Sequence, residues 1–441
     1  MFSSLSSFFK KPTNLAFLGL LLILTVYYVW GVQFIPFHPD EVHRLYQSRD
    51  FEKLFTDPSS LIWQKGTPAN QPRAIVAPLP KYVVGLGSYL DGHPSEAILA
   101  DWDWGLSMEA NRANGALPSD DLLYAARIAS TFASLIAIVW IYLAGQKLGG
   151  PLTGWLAALL LGTNPLVLLH GRRSMTEGTL LLVICLALYG LSWAHRYSWL
   201  AGIIFALTAN TKHSAVVLVP AGLLAVIWPP QNKNLKFKQT LWKLGLFLLF
   251  FGVVTYMLNP MIWRYPLAAG REMIQERSKW MDTQIETLQA FDAENQMITM
   301  PLNKALVTVA NLFIQPMSFY EIGNYTEDTA ASEEVYTGIP GHNFLRGIIP
   351  GGLLFFFGLC GFSLGILKII RRNLQQQHYL SLLILATLIL TGAVIWTAFL
   401  PAQRYVIPLV PISSLWIAYF IGDAVEKIKK GAQKPPKVIS T

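Results

Sequence analysis

Residues 14–33, NLAFLGLLLILTVYYVWGVQ, carry no charge and provide about the 20 residues that a helix needs to cross the hydrocarbon core of a membrane. Lys10 and Lys11 precede this stretch, and basic residues beside a span mark the cytoplasmic side. No small-residue cleavage site follows, so we expect a retained transmembrane helix. The chain then emerges on the outer side as Phe37-His38-Pro39-Asp40-Glu41.

The composition predicts a membrane protein with many spans. Hydrophobic residues make up 53% of the 441 residues, charged residues make up 14%, and the mean hydropathy is +0.41, values that are rare in a water-soluble chain of this length. Cys185 and Cys360 lie in apolar runs and imply no disulfide framework. The net charge of +8 fits cytoplasmic flanks that face anionic lipid headgroups, and no motif supports nucleic-acid binding.

Charge placement predicts the orientation. Of the 26 acidic residues, 23 fall in segments 34–121 and 259–343, which we interpret as outer loops. Sixteen basic residues mark the cytoplasmic side instead, at Lys10, Lys11, Lys147 and Arg196, from Lys233 to Lys243, from Lys368 to Arg372, and in the tail from Lys427 to Lys437. We therefore predict a membrane domain over 1–423 and a basic cytoplasmic tail over 424–441.

With these anchors, the apolar runs predict an all-α bundle of about ten spans with both termini inside. The predicted spans are 14–33, 122–146, 151–169, 175–195, 197–210, 214–228, 241–258, 344–367, 379–399 and 405–422. Three hairpin tips face outward, at His170–Glu177, Thr211–Ser214 and Leu400–Arg404. Counting 303–318 as a crossing would break the parity, so we predict an interfacial or re-entrant helix there.

The first outer loop contains periodic apolar patches at Leu79–Leu90 and Ala97–Met108, which predict amphipathic helices along the membrane surface. We interpret Trp63, Trp102 and Trp104 in this loop as anchors at the level of the lipid headgroups.

Six cations lie at the outer ends of spans, against the usual charge rule: Arg127, Arg172, Arg173, Lys212, Arg346 and Arg404. A charge near hydrocarbon costs a few kcal/mol unless something pairs with it, and the only acid nearby in sequence is Glu177. A lipid-borne phosphate is a natural counterion, because Arg binds its oxygens bidentately and Lys supplies a point charge. The competing interpretation is that each cation snorkels to the interface, which we favour for Arg346.

The spaced motifs resemble the polyprenyl-phosphate-sugar-dependent glycosyltransferases of the protein O-mannosyltransferase type and their bacterial aminoarabinose transferase relatives. The motifs, in order, are Asp40-Glu41, Ala77-Pro78-Leu79-Pro80-Lys81, Tyr124-Ala-Ala-Arg127, Arg172-x-x-x-x-Glu177, Lys212 and Arg404-Tyr405-x-x-Pro408-x-x-Pro411. Ala77 stands where the family has a His, and Pro80 is an additional departure.

The resemblance implies the membrane-embedded GT-C fold and a single-displacement, inverting transfer of one sugar at the outer face of a bacterial cytoplasmic membrane. The donor is a polyprenyl phosphate sugar, and the acceptor is a lipid, glycan or protein. Arg127, Arg172, Lys212 and Arg404 are the predicted donor-phosphate residues, because cations in place stabilise the departing phosphate. Further substrate-site candidates are Lys81, Arg173, Glu177 and Tyr405.

Asp40 is the predicted general base, which takes the proton of the acceptor. Glu41 orients the acceptor, tunes Asp40 as a like charge, or joins Asp40 in binding a divalent metal; most of the family needs no metal. His38 and His43 flank the pair at a spacing that also fits a metal, but histidines in interfacial loops are usually solvated, and we favour that interpretation. Asp101 and Asp103 are the alternative bases.

A transporter or flippase of an anionic lipid is the alternative function, with the same cations as a translocation site. Such a protein is expected to show paired repeats with broken helices in matching halves. This chain has one large loop early and another late without visible symmetry, which favours the enzyme. A silent membrane scaffold leaves the cation placement unexplained.

Overall fold

The computed structural model describes residues 12–94, 97, 100–230, 236–290, 298–319, 325–372, 377–397, 400 and 402–432. All regular structure within these ranges is helical, as predicted. In the part of the chain that the structure describes, six helices are long and apolar enough to cross a membrane. They are α1 (Pro12–Gly31), α6 (Asp120–Gly149), α13 (Phe237–Leu258), α17 (Ile348–Arg372), α18 (His378–Thr397) and α19 (Val410–Ala432).

Shorter apolar helices occupy the remaining predicted spans. These are α7 (Pro151–Gly162), α8 (Pro165–His170), α9 (Glu177–Gly190), α10 (Ser198–Ala209), α11 (His213–Val216) and α12 (Val219–Ile227). At 1.5 Å per residue, none of them alone covers a hydrocarbon core of about 30 Å. All ten predicted spans thus coincide with helix, but length supports six crossings and the count of ten stays a prediction.

Helix α6 lies at the centre of the bundle and packs along α7 and α9. Its contact with α7 is close, because a Cβ atom at Gly145 would lie 2.8 Å from the Cα atom of Gly154. Small residues at such crossings let helix backbones approach each other, which favours packing in a lipid environment. The core around this crossing contains buried Tyr142 and Leu161, and α19 closes it from the other side.

The segment predicted as interfacial or re-entrant forms α15 (Pro301–Val309), followed by one π-helical turn over Ala310–Ile314. Arg346 terminates this turn, because its guanidinium donates to the carbonyl oxygens of Asn311 at 2.7 Å and Gln315 at 2.5 Å. A cation on the last carbonyls of a helix satisfies acceptors that have no helical partner. Arg346 therefore has a capping role in place of the predicted snorkelling.

The segments predicted as outer loops contain their own helices: α2 (Pro39–Thr56), α3 (Asn70–Ile75), α4 (Pro78–Leu90) and α5 (Met108–Ala113), then α14 (Pro266–Ala290) and α16 (Thr326–Gly338). Short 3₁₀ turns lie at Val32–Phe34, Pro58–Leu61, Pro260–Ile262 and Gln403–Leu409. Leu45, Val84, Leu122 and Ala126 form a small core that fixes α2 and α4 on the N-terminal end of α6.

The predicted helix at Leu79–Leu90 is confirmed, whereas the one at Ala97–Met108 is wrong, since α5 begins only at Met108. Asp103 accepts the backbone N–H of Gly105 at 2.8 Å, which holds a turn there, and Ser107 then caps α5. The headgroup interpretation of Trp102 is also wrong, because its side chain is buried in the loop.

At the C-terminal end, α19 continues to Ala432. The first nine residues of the predicted tail therefore extend the last helix. Residues 433–441, with Lys434 and Lys437, lie outside the described residues, as do Lys10 and Lys11.

Candidate active site

The acidic pair forms the first turn of α2. His38 is the N-cap in extended conformation, and Pro39 fits the first helical position, where no backbone N–H is needed. The His38 Nδ1 atom accepts the Asp40 N–H at 3.1 Å, while the Glu41 carboxylate accepts the His38 N–H at 3.2 Å. Such a reciprocal cap satisfies two donors, and the helix dipole favours both carboxylates.

Glu41 is fully buried and saturated with hydrogen bonds. Arg127 donates to its two oxygens through Nε at 2.8 Å and Nη2 at 2.6 Å. Ser174 donates its backbone N–H at 2.9 Å and its hydroxyl at 3.2 Å. Burial alone raises the pKa of Glu41, but the charge and hydrogen bonds of Arg127 outweigh it and the pKa is lowered. The hydrogen bonds of the Glu41 carboxylate therefore hold α2, α6 and the first hairpin tip together.

Asp40 pairs with Arg404, at the start of the 3₁₀ turn that leads into α19. Unlike Glu41, this pair is partly open, with 26% of the Asp40 side chain and 17% of the Arg404 side chain exposed. Burial raises the pKa of Asp40, but Arg404 outweighs it and holds the pKa well below its usual range. Asp40 is therefore ionised and partly accessible to solvent.

A second partly open pair joins the other two hairpin tips. Lys212 Nζ lies 2.9 Å from Glu177 Oε1, with the Lys212 side chain 24% exposed and Glu177 buried. The Tyr405 ring faces both cations, at 5.7 Å from Lys212 Nζ and 5.5 Å from the Arg404 guanidinium carbon. Cations near a ring face are attracted by its quadrupole. Tyr405 thus holds the two cations as neighbours.

The structure brings the three hairpin tips together around the first turn of α2. Three of the six cations predicted at the outer ends of spans have carboxylate partners, although Glu177 was the only acid nearby in sequence. Arg404, Arg127 and Lys212 have carboxylate partners that lie 364, 86 and 35 positions away in sequence. Proximity in sequence was a poor guide, because the partners meet only when the spans are packed.

Arg172 and Arg173 are fully buried at the first tip and point to different surroundings. Arg172 donates from Nη2 to Tyr336 Oη at 3.2 Å, lies 2.8 Å from His342 Nε2, and sits 5.6 Å from the Tyr28 ring. It thereby fastens the second outer loop to α1. Arg173 donates from Nη2 to the carbonyl oxygens of Pro36 at 3.3 Å and Phe319 at 3.1 Å.

Lys81 belongs to a separate buried cluster in the first outer loop. Its Nζ lies 2.6 Å from Asp50 Oδ2, and Arg73 Nη2 lies 2.9 Å from the other oxygen of the same carboxylate. Burial raises the pKa of Asp50, but Lys81 and Arg73 outweigh it and bring the pKa to about 2. The cluster holds α2, α3 and α4 together, so Lys81 has a structural role within the loop.

The alternative bases have different surroundings. Asp101 Oδ1 lies 2.5 Å from His43 Nδ1. His43 is on α2, one helical turn beyond Asp40. Asp103 is exposed and engaged in the Gly105 turn described above. The structure thus links Asp101, but not Asp103, to α2.

The side chains around the acidic pair do not fit a metal held jointly by Asp40 and Glu41. Both Glu41 oxygens accept from Arg127, and the Nδ1 atom of His38 is used in the helix cap. Within the described ranges, no group of three or more His, Cys, Asp and Glu side chains is placed to hold a metal ion.

Sequence reasoning missed Arg44, which interacts electrostatically with Asp40, Glu177 and Arg404. Its position four residues after Asp40 was the available signal, because residues four apart share one face of a helix. Asp50 and His342 were also missed, and no motif marked them.

Comparison with known proteins supports the fold. Residues 118–258 match the family model of dolichyl-phosphate-mannose-protein mannosyltransferases. No curated protein is detectably similar to the chain in sequence. Among solved structures, the apo oligosaccharyltransferase of Archaeoglobus fulgidus is similar, with a TM-score of 0.50 at 13% identity over 97% of this chain and 52% of that one.

The same archaeal enzyme tethered to an acceptor peptide aligns with a TM-score of 0.48 at 14% identity, over 96% of this chain and 51% of that one. The chain thus spans about half the length of these structures. The matched family segment contains Arg127, Arg172, Glu177 and Lys212. The chain is therefore a multi-pass membrane protein with the GT-C fold, and its predicted resemblance to glycosyltransferases of the protein O-mannosyltransferase type is confirmed.

Proposed function

We propose that the protein is an inverting glycosyltransferase that moves a sugar from a polyprenyl phosphate donor to a lipid, glycan or protein acceptor at the outer membrane surface. The observation that carries this proposal is the pair of partly exposed cations, Lys212 and Arg404, which lie beside Tyr405 and next to the partly exposed carboxylate of Asp40. The match to the mannosyltransferase family model supports it.

The donor phosphate is placed at Lys212 and Arg404. Each cation is partly exposed and is paired with a carboxylate, so a phosphate can replace that carboxylate as the partner. Arg127 is occupied by Glu41 and the Ile35 carbonyl oxygen, and Arg172 by Tyr336 and His342. We therefore propose that, of the four predicted residues, only Lys212 and Arg404 bind the donor phosphate. Arg127 and Arg172 have structural roles.

The chemistry follows from this charge arrangement. When the bond between the anomeric carbon and the phosphate oxygen breaks, the phosphate gains negative charge, and Lys212 and Arg404 stabilise that charge more than the ground state. Release of Arg404 toward the phosphate frees Asp40 to contact the acceptor. That Asp40 also takes the proton remains a prediction, since its proton affinity is low while Arg404 is adjacent.

The test uses purified protein in lipid nanodiscs with tritium-labelled undecaprenyl-phosphate-mannose and a cell-envelope fraction as acceptor. Wild-type protein is expected to transfer label to envelope material. Donor translocation is followed separately in sealed liposomes, and movement of intact donor across that bilayer without release of the sugar would favour the flippase. Binding without either event, with a panel of other polyprenyl phosphate sugars also inactive, would contradict the proposal.

The same preparation tests the phosphate residues. Lys212→Gln and Arg404→Gln are each expected to weaken undecaprenyl phosphate binding by about 1–3 kcal/mol, or roughly 5- to 150-fold in Kd, as for lost charge-assisted hydrogen bonds. Lys279→Gln is the matched control, because Lys279 forms an exposed ion pair with Glu276 on α14. Equal affinities in all variants would leave the two cations as structural residues.

A further inference from the structure

A histidine–carboxylate pair lies one turn along α2 from Asp40. His43 occupies the position three residues on, which shares a helix face with Asp40. Its Nδ1 atom lies 2.5 Å from Asp101 Oδ1, and the same oxygen accepts the Trp102 backbone N–H at 2.9 Å. The backbone N–H of Trp102 thus orients the Asp101 carboxylate toward the imidazole.

Hydrogen bonding fixes the tautomer of this imidazole. The Trp104 indole N–H, which can only donate, points to His43 Nε2 at 3.1 Å. His43 Nε2 therefore carries a lone pair, and Nδ1 carries the proton that Asp101 accepts. A neutral imidazole whose inner N–H is held by a carboxylate is the arrangement that a general base requires.

The pair is also accessible, in contrast to Glu41. About a quarter of the His43 side chain and a third of the Asp101 side chain are exposed. An acceptor hydroxyl can replace the Trp104 N–H at Nε2 without breaking an ion pair, whereas Asp40 must first lose Arg404.

We propose that His43 is the general base of the transfer and that Asp101 positions it. Asp40, on the same face of α2, contacts the acceptor. This inference rests on the proposed function. The acceptor oxygen forms a bond to the anomeric carbon while the carbon–oxygen bond to the phosphate breaks and its electron pair leaves with the phosphate. The acceptor proton moves to His43 Nε2, and the resulting imidazolium keeps its Nδ1–H on Asp101.

The charges around His43 predict the pH dependence. Burial lowers the pKa of His43, but Asp101 and Asp40 outweigh both burial and Arg44, and the pKa is raised above 6.5. His38, in the cap of the same helix, is neutral because burial and then Arg173 lower its pKa. Since only the deprotonated imidazole accepts a proton, turnover should fall as the pH drops through the raised pKa.

The experiment measures kcat against pH in the nanodisc assay for His43→Gln and Asp101→Asn. His43→Gln should lose at least about 100-fold in turnover and the acidic limb of the profile, with undecaprenyl phosphate binding retained. Asp101→Asn should keep the limb but shift it to lower pH, because the imidazolium loses its carboxylate. His93→Gln is the matched control, since His93 lies 3.2 Å from Asp91 in the same loop, and its profile should not change.

A second measurement, chemical rescue by imidazole, tests the role of His43 independently of His43→Gln. Imidazole added to His43→Gly should restore part of the turnover, whereas Asp40→Asn should not respond to imidazole. Wild-type turnover and an unchanged limb in His43→Gln, with Asp40→Asn inactive, would overturn the inference and leave Asp40 as the base. Absence of transfer in the wild-type protein would instead count against the proposed function, so the two failures are distinguishable.

Discussion

The buried Glu41–Arg127 pair allows a sharp prediction about stability. Glu41→Gln keeps the size of the side chain but removes its charge. In the structure the carboxylate accepts two bonds from Arg127, two from Ser174 and one from the His38 N–H. The substituted amide offers one acceptor oxygen and places an NH₂ group against a buried donor. Arg127 then remains buried without a compensating charge.

Removal of one partner from a buried ion pair costs about 3–5 kcal/mol, and we expect Glu41→Gln to lie in this range. Asp40→Asn breaks a pair that solvent reaches, so its cost should be about 1 kcal/mol or less. Because the pKa of Glu41 is lowered in the folded state, its contribution is complete above the unfolded value of about 4.3. It is lost as the pH falls through the folded-state pKa.

The assay is thermal unfolding of purified protein in one detergent at pH 7, at one scan rate, for both single variants. The unfolding midpoint of Glu41→Gln should fall well below that of Asp40→Asn. The double variant Glu41→Leu, Arg127→Met should recover part of the loss, because hydrophobic replacement of a buried pair is often neutral. Equal midpoints for the two single variants would refute the reasoning.

Three further predictions follow from the described contacts. In a background without native cysteines, Thr337→Cys should react with an impermeant thiol reagent from outside and Gln239→Cys should not; the reverse pattern would invert the topology. Asp40→Asn should tighten undecaprenyl phosphate binding a few-fold in equilibrium titration, because its partner arginine loses a competing anion; weaker binding would contradict the placement of the phosphate. Gly31→Ala should lower stability by about 1–3 kcal/mol in a denaturation assay, because a Cβ there overlaps the Arg172 guanidinium, and an unchanged midpoint would show that Arg172 moves freely.

Much of the fold was predictable because it follows from local composition. Each span is an apolar run, and each ends near charge, proline or glycine, so all ten predicted runs coincide with helix. The helix Pro78–Leu90 shows the same local logic, with prolines at its start and apolar periodicity along its length. The failure at Ala97–Met108 has a local cause as well, since the Asp103 turn competes with helix for the backbone N–H groups.

The site was predictable only in part, because its geometry depends on pairing between distant segments. The sequence identified Asp40, Lys212 and Arg404 as unusual charges, but which carboxylate each cation meets depends on how the spans pack. The pairing of His43 with Asp101 joins a helix to a loop 58 positions later, and nothing in either segment indicates the other. The contacts of Arg172 with aromatic and histidine side chains could not be predicted from the sequence for the same reason.

The distance along the chain between Asp40 and Arg404 has a consequence for biosynthesis. The carboxylate is made 364 residues before its partner. At about 5–20 residues per second, translation separates them by roughly 20–70 seconds. During that interval Asp40 lacks its arginine partner, which is supplied by insertion of the last hairpin. A chain that stops before this hairpin lacks the positive charge of Arg404 beside Asp40, so a finished molecule differs from an unfinished one in its surface charge as well as its length.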